Sequence, residues 1–370
     1  MIRAPSLDRC TVLLAGTAAA LSACRQKPAA APAKTLLAAL EQGRDRYGVP
    51  AMAAVVLRSD GIVEIGAAGI LRRGRPERAD IASQFHLGSN TKAITATMIA
   101  TLVEEGRLSW STTPLEVFPE WQADIHPDYR GITVDDLFQH RAGLPPFMHG
   151  SLGLPVSKPL PEGAHWILRR PPAQKPGTTG LYSNAGPSIA AAMAERLTGQ
   201  DWRALVRARV FAPLGIRGGF GPPREGDPAQ PYGHFSTWFG PVPMDLGLQG
   251  FFGPAGDAHP NMGEYASFLQ VHLKGMQGRD TILKADTIRH LHTPVGLFGL
   301  GWAVLSADGL IVSGHDGSHG SFYVTTRFWH TRDLAIAVAA NVGGGRGTDA
   351  CYAAFRALAR RWVSLSPDSA

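Results

Sequence analysis

Ser89-Asn90-Thr91-Lys92 places a hydroxyl and an amine three residues apart where a helix is expected to begin. Positions i and i+3 share a helix face, so the Lys92 amine can lie against the Ser89 oxygen and, when neutral, take its proton. Ser89 is then a candidate activated nucleophile. The helix is read from Ile94, Met98, Ile99, Leu102 and Val103, an apolar stripe at a period of 3.6, with Gly106 placed to end it. Its N-terminus adds positive potential and free N–H groups where an oxyanion would form. Taken alone, a Ser-x-x-Lys tetrad is common, and a serine cap beside a solvated lysine is its plainer explanation.

Two further segments change that balance. Tyr182-Ser183-Asn184 and His315-Asp316-Gly317-Ser318 follow in order and well separated, with landmarks between the three parts. These are Leu137-Phe138-Gln139-His140-Arg141-Ala142-Gly143-Leu144-Pro145, Pro176-Gly177, Pro254-Ala255-Gly256 and Phe298-Gly299-Leu300-Gly301-Trp302. The ordered set resembles the serine β-lactamase and penicillin-binding-protein superfamily, and within it the class C β-lactamase-like branch. That branch includes class C β-lactamases, D-Ala-D-Ala carboxypeptidases, D-aminopeptidases and a group of esterases. The resemblance runs from about residue 35 to about residue 365.

The resemblance implies that Ser89 attacks a carbonyl to form an acyl-enzyme, with Lys92 and Tyr182 as the proton-handling pair. Which of the two is the base at each step stays open, because both side chains ordinarily titrate near 10 and each needs its surroundings to shift it. Asn184 would fix the lysine and donate to a substrate amide. The backbone N–H groups of Ser89 and Ser318 would form the oxyanion hole, with Gly317 leaving room for the acyl group. His140 matches the family's structural loop histidine.

The third motif departs from the lactamases, whose Lys-Thr-Gly becomes His315-Asp316-Gly317. Asp316 facing the site would repel a substrate carboxylate, and His315 would offset it only when protonated. An exported serine hydrolase acting on an ester or amide of a small or peptide-like substrate is therefore expected, ahead of a class C-type β-lactamase or D-Ala-D-Ala carboxypeptidase. A non-catalytic cell-wall-binding or sensor lipoprotein would usually have lost one of Ser89, Lys92, Tyr182 and Asn184. The chain has no Gly-x-Ser-x-Gly elbow, which argues against an α/β-hydrolase.

Around these motifs the pattern is that of a mixed α/β (α+β) chain. Leu36 to Arg46 reads as a helix, and Ala51 to Arg58 and Ile62 to Ala68 as strands joined through Ser59-Asp60-Gly61. The C-terminal end offers strands near 301–305, 310–313, 321–329 and 334–341, then a helix over 348–363. Strands at both ends predict one antiparallel sheet, from about 35–84 and 286–365, flanked by the terminal helices. A mainly helical region over about 85–285 would be inserted. Within it, residues 220–253 are rich in Pro, Gly and aromatics (Tyr232, His234, Phe235, Trp238, Phe239, Phe251, Phe252) and are read as a wall of the substrate pocket.

Residues 1–23 read as a signal peptide: Arg3 and Arg9, then an apolar run, closed by Leu21-Ser22-Ala23-Cys24. That tetrapeptide resembles a bacterial lipobox, which would leave Cys24 lipidated; an ordinary signal peptide would be cut after Ala23. Residues 24–34 then form an Ala/Pro-rich tether, and 35–365 the hydrolase domain, carried as a membrane-anchored lipoprotein facing the periplasm. Cys351 is left alone, so no intramolecular disulfide is expected. The net charge of +6 is carried mostly by scattered arginines without a basic run, so nucleic acid is not an expected partner. His315 and His319 are four apart in a Gly-rich strand turn with no further ligand motif, so neither metal nor cofactor is expected.

Overall fold

The first and last strands of the chain are paired to each other, and this closure decides where everything else lies. The computed structural model describes residues 33–146, 157–178, 180–244, 250–307, 310–318 and 320–363. Helix α1 (Leu36–Tyr47) leads into a hairpin of β1 (Ala51–Arg58) and β2 (Gly61–Gly69). Four short strands follow: β3 (Gly219–Phe220), β4 (His234–Thr237), β5 (Gly240–Pro243) and β6 (Ala258–His259). β3 pairs with β6 and β4 with β5. Then come β7 (Ala303–Ala307), β8 (Leu310–Ser318), β9 (Tyr323–Trp329) and β10 (Leu334–Ala340). The main sheet has the order β2-β1-β10-β9-β8-β7, antiparallel throughout, with Met52 opposite Ala340 and Leu57 opposite Ala335.

β1 and β10 are buried on both faces, so they read as continuous apolar runs and not as alternating ones. Successive side chains still point to opposite faces. Met52, Ala54 and Val56 meet Leu36 and Leu40 of α1 and Ala354, Phe355 and Leu358 of α5 (Gly344–Trp362). Ala53, Val55 and Leu57 face the other way, toward the inserted helices. Those include α2 (Thr91–Glu104), α3 (Ala185–Thr198) and α4 (Met262–Met276), whose N-terminus is closed by a capping box between Asn261 and Glu264.

Two readings of the sequence change. α2 is not amphipathic: every residue from Thr91 to Ala100 is buried, and so is Leu102, because the helix runs through the middle of the molecule. Strand β8 continues to Ser318 instead of ending near Ser313; glycine, aspartate and histidine are poor strand signals, and pairing with β9 overrides them. Since β7 pairs only as far as Ala303 with Gly314, residues 315–318 of β8 keep a free edge. Cys351 is a free cysteine buried on α5.

The helical face also buries a chain of imidazoles. His272 of α4 is 2.9 Å from His292, His292 shares a 2.7 Å hydrogen bond with Ser313 of β8, and Ser313 shares another of 2.7 Å with His330. Burial lowers His272 from 6.5 to about 3 and His330 to about 4, and it holds His292 well below the usual range. The unfolded chain takes up these protons as pH falls through 6.5, while the folded chain stays neutral. The contribution of these imidazoles should therefore be complete above about pH 6.5. It should fall between about pH 6.5 and pH 4, by up to about 1.4 kcal/mol per pH unit for each fully buried imidazole. Urea midpoints across that range check it, and equal midpoints at its two ends would refute it.

Candidate active site

Ser89 occupies a single 3-10 turn, Gly88–Asn90, immediately before α2. The turn is pressed against the free edge of β8. Gly88 has φ +53, and a Cβ there would meet the Ser318 nitrogen at 2.6 Å. A Cβ on Gly317 would meet the Leu87 carbonyl oxygen at 1.9 Å. Gly317 is thus required for strand-to-turn contact, a different reason from the space for an acyl group read in the sequence. The same contact brings the Ser318 main chain beside the residue preceding Ser89. The Ser318 hydroxyl is occupied in its own turn, donating to the Phe322 carbonyl at 3.1 Å.

Lys92 follows one turn later and is fully buried. Its Nζ lies 3.0 Å from Ser89 Oγ and donates to Asn184 Oδ1 and to the Ala255 carbonyl, each at 2.8 Å. Burial holds its pKa well below the ordinary lysine value. Asn184 stands just ahead of α3, and Ala255 lies in the one-turn helix Gly253–Gly256. That short helix is pinned to α2 by a second bond, from the Thr95 hydroxyl to the Pro254 carbonyl at 2.7 Å. The Ala255 acceptor was not legible in the sequence, because any residue type supplies a carbonyl; the Pro254-Ala255-Gly256 landmark marked only the place.

The Tyr182 hydroxyl donates to Ser89 Oγ at 2.9 Å. Burial raises the Tyr182 pKa, and the hydrogen bond with Ser89 offsets this only in part, so the phenol keeps its proton. His140 holds Tyr182 from both sides. Its carbonyl accepts from Leu181 N at 2.7 Å, its Nδ1 accepts from Ser183 N at 3.2 Å, and its ring lies 4.5 Å from the phenol ring. A left-handed backbone, φ +57, allows carbonyl and ring to face the same loop. Burial, then Lys92 and His315, keep that imidazole neutral. His140, the structural loop histidine of the sequence reading, is therefore a positioning residue for Tyr182.

In the third motif, alternation along β8 sends His315 and Asp316 to opposite faces. The His315 ring is 6.0 Å from that of Tyr182, and its Nδ1 donates to the Asp316 carbonyl at 2.7 Å. Burial, then Lys92, lower it to about 4. Asp316 corrects the expectation of a repelling anion. Its carboxylate is ion-paired with Arg327 at 2.9 Å and accepts from Thr325 at 2.7 Å and from Tyr352 of α5 at 2.6 Å. Burial alone would raise this carboxyl, but Arg327 and the two hydroxyl donors outweigh it and hold its pKa low.

A cavity of about 610 Å³ runs from Ser89, Tyr182, Asn184 and His315 over the free edge of β8 to the Asp316–Arg327 pair. Its walls are largely apolar, from Phe298, Phe235, Leu305 and Val312. Of the aromatics over 220–253 expected to wall the pocket, only Phe235 does so. Phe251 and Phe252 are core, His234 is buried among strand ends, and Trp238 and Phe239 are exposed. Cys24 and His319 lie outside the described residues.

An antiparallel sheet closed by its terminal strands, with a helical insertion and a Ser/Lys/Tyr crevice at one edge, is the fold of β-lactamases and penicillin-binding proteins. The chain belongs to the Beta-lactamase family, whose family model matches residues 36–360. It is 27% identical over 335 residues to penicillin-binding protein 4 of Amycolatopsis lactamdurans, covering 85% of this chain and 86% of that protein. To esterase EstB of Burkholderia gladioli it is 32% identical over 205 residues, 51% of each chain. The octameric penicillin-binding protein homologue from Pyrococcus abyssi superposes with a TM-score of 0.75 at 22% identity, over 89% of this chain and 77% of that one. D-alanine carboxypeptidase AmpC from Burkholderia cenocepacia gives 0.69 at 19% identity, over 87% and 97%.

Replacing Gly317 with Ala should force β8 away from the Leu87 carbonyl. The expected result is a destabilisation of about 2 kcal/mol or more together with a near-complete loss of turnover. Urea unfolding alongside steady-state kinetics checks it; a variant with native stability and activity would contradict the contact argument.

Proposed function

We propose that the chain is an exported serine hydrolase that forms an acyl-enzyme on Ser89 and acts on uncharged esters or amides. One observation carries the reading: the amine of Lys92 is buried beside Ser89 with two carbonyl-type acceptors, Asn184 Oδ1 and the Ala255 carbonyl. A neutral amine has two N–H bonds and one lone pair. The two acceptors use the hydrogens, and the lone pair is left for the Ser89 hydroxyl, whose oxygen accepts from Tyr182.

In this reading Lys92 removes the Ser89 proton as Oγ attacks the substrate carbonyl. The tetrahedral oxyanion is held by the N–H groups of Ser89 and Ser318. As the intermediate collapses, Tyr182 gives its proton to the departing alcohol or amine and is reprotonated from the Lys92 ammonium. The acyl-enzyme then holds a neutral amine again. Water attacks the ester in the second half, losing its proton to the same pair, and Ser89 leaves with a proton.

The charge state of the crevice supports an uncharged substrate. Burial disfavours the charged forms of Lys92 and His315, and Arg327 is paired with Asp316, so among the described residues no unpaired cation is favoured to face a substrate carboxylate, and the walls suit an apolar acyl group. A carboxypeptidase or β-lactamase activity is the second reading. The pairing of Asp316 with Arg327 favours it by removing the anion that would have opposed such substrates. For location, the segment ending in Leu21-Ser22-Ala23-Cys24 supports export with a lipid on Cys24, which the intact mass of the mature N-terminus tests.

Incubation with a p-nitrophenyl ester should give a single acyl adduct mapped to Ser89, absent from Ser89→Ala, with turnover falling at least about a thousandfold. A cephalosporin and a D-Ala-D-Ala peptide, run alongside short-chain esters, separate the two readings. With Lys92 as the base, kcat/KM for an uncharged ester should rise with pH through the lowered lysine pKa and stay level above it, since Tyr182 ionises only at high pH. An ascending limb at the ordinary lysine value of 10.5 would contradict a neutral Lys92.

A further inference from the structure

The tip of the β4–β5 hairpin presents Trp238 and Phe239 to solvent, 91% and 58% exposed, with their rings edge to face at 5.4 Å. Phe235 and Met244, on the same hairpin, are exposed as well. Apolar surface concentrated in this way marks an interaction site more often than scattered exposed residues do. The tip is firmly mounted. Arg73 donates from its guanidinium to the Pro241 carbonyl at 2.8 Å and from its backbone N–H to His234 Nε2 at 3.0 Å, and His234 Nδ1 in turn donates to the Asn341 carbonyl at 2.8 Å. The hairpin is therefore held on the end of the main sheet, and its aromatic end points out from a fixed base.

That base is strongly basic. The segment 71–78, Leu-Arg-Arg-Gly-Arg-Pro-Glu-Arg, carries four arginines against the one acid Glu77. Its Leu71 carbonyl accepts from Tyr232 N, two residues before β4, at 3.0 Å. Arg72 and Arg224 both lie over the Tyr232 ring, at 4.4 and 3.5 Å, while Arg73, Arg75 and Arg78 are exposed. A tryptophan-phenylalanine tip on an arginine-rich base, with the Arg73 guanidinium against the hairpin at Pro241, matches a bilayer interface in two ways: aromatic rings seat at headgroup depth, and arginines pair with lipid phosphates.

We propose that this hairpin is a docking tip that seats on the anionic headgroups of a phospholipid bilayer. The occupant is chosen on charge complementarity and on the chain ahead of α1. An acyl anchor on Cys24 would stand eleven residues before Thr35, a reach of at most about 40 Å for Thr35 itself. The assignment does not depend on the hydrolytic reading of Ser89. It adds a second, side-chain contact with the bilayer to the N-terminal one.

Trp238 gives the test directly, because no tryptophan lies before Trp110 and an N-terminal anchor therefore contributes no signal. The full chain is mixed with vesicles of phosphatidylcholine, with and without phosphatidylglycerol, carrying brominated acyl chains. Tryptophan emission should be quenched when phosphatidylglycerol is present, and Trp238→Phe should abolish the quenching. Arg75→Glu with Arg78→Glu should raise the phosphatidylglycerol needed for half-maximal quenching about tenfold. Quenching that persists unchanged in Trp238→Phe would overturn the proposal. So would quenching that ignores both phosphatidylglycerol and the arginine variants. Emission from Trp238 already shifted to the blue without vesicles would also overturn it, showing that a second copy or another protein covers the tip.

Discussion

A lysine amine buried with no countercharge among the described residues is the constraint on which the rest of this structure turns. Burial of an ammonium is costly enough that the group gives up its proton instead. A neutral amine then needs acceptors for two hydrogens and a donor for its lone pair. The fold provides them from three distant places: Asn184 ahead of α3, the Ala255 carbonyl in a one-turn helix, and Ser89 in the turn before α2. The helical insertion has to be assembled correctly before Lys92 can be both dry and satisfied. Burying all faces of α2 is part of the same requirement, because a solvated helix would leave its lysine charged.

The second constraint is a close approach. β8 touches the Ser89 turn through two glycines, Gly88 and Gly317, neither of which has room for a Cβ. This contact brings the sheet's free edge and the helical layer together at one point, so neither layer forms the crevice alone. Ion pairing of Asp316 with Arg327, on the opposite face of the strand, keeps a carboxylate near the cavity without leaving it a free anion.

Much of this was legible in the sequence, and the failures have specific causes. Ser89, Lys92, Tyr182 and Asn184 announce themselves by type and spacing, and the structure links all four in one hydrogen-bonded chain, Tyr182–Ser89–Lys92–Asn184. Asp316 was read as an anion that would repel a carboxylate if it faced the site. The groups that satisfy it, Arg327, Thr325 and Tyr352, come from a neighbouring strand and a distant helix that its own motif does not signal. Ala255 acts through its carbonyl, which side-chain type does not signal, and the His140 ring reaches Ser183 N and Tyr182 only because its backbone is left-handed, which side-chain type does not signal either. The aromatic stretch 220–253 was read as one feature, although its residues divide among core, pocket and solvent, because aromatic density does not reveal direction. The two-ended sheet was visible because β1 and β10 are so apolar that few other arrangements could bury them.

The pairing of β1 with β10 has a consequence for biogenesis. The earliest strand to leave the ribosome finds its central partner only after nearly three hundred further residues have been synthesised, so the nascent polypeptide cannot close its sheet while elongation continues. A chain that stays loosely organised until its last strand emerges cannot bring the Ser89 turn and the free edge of β8 together early. The crevice, and with it any reactivity of Ser89, is therefore among the last features of the molecule to form.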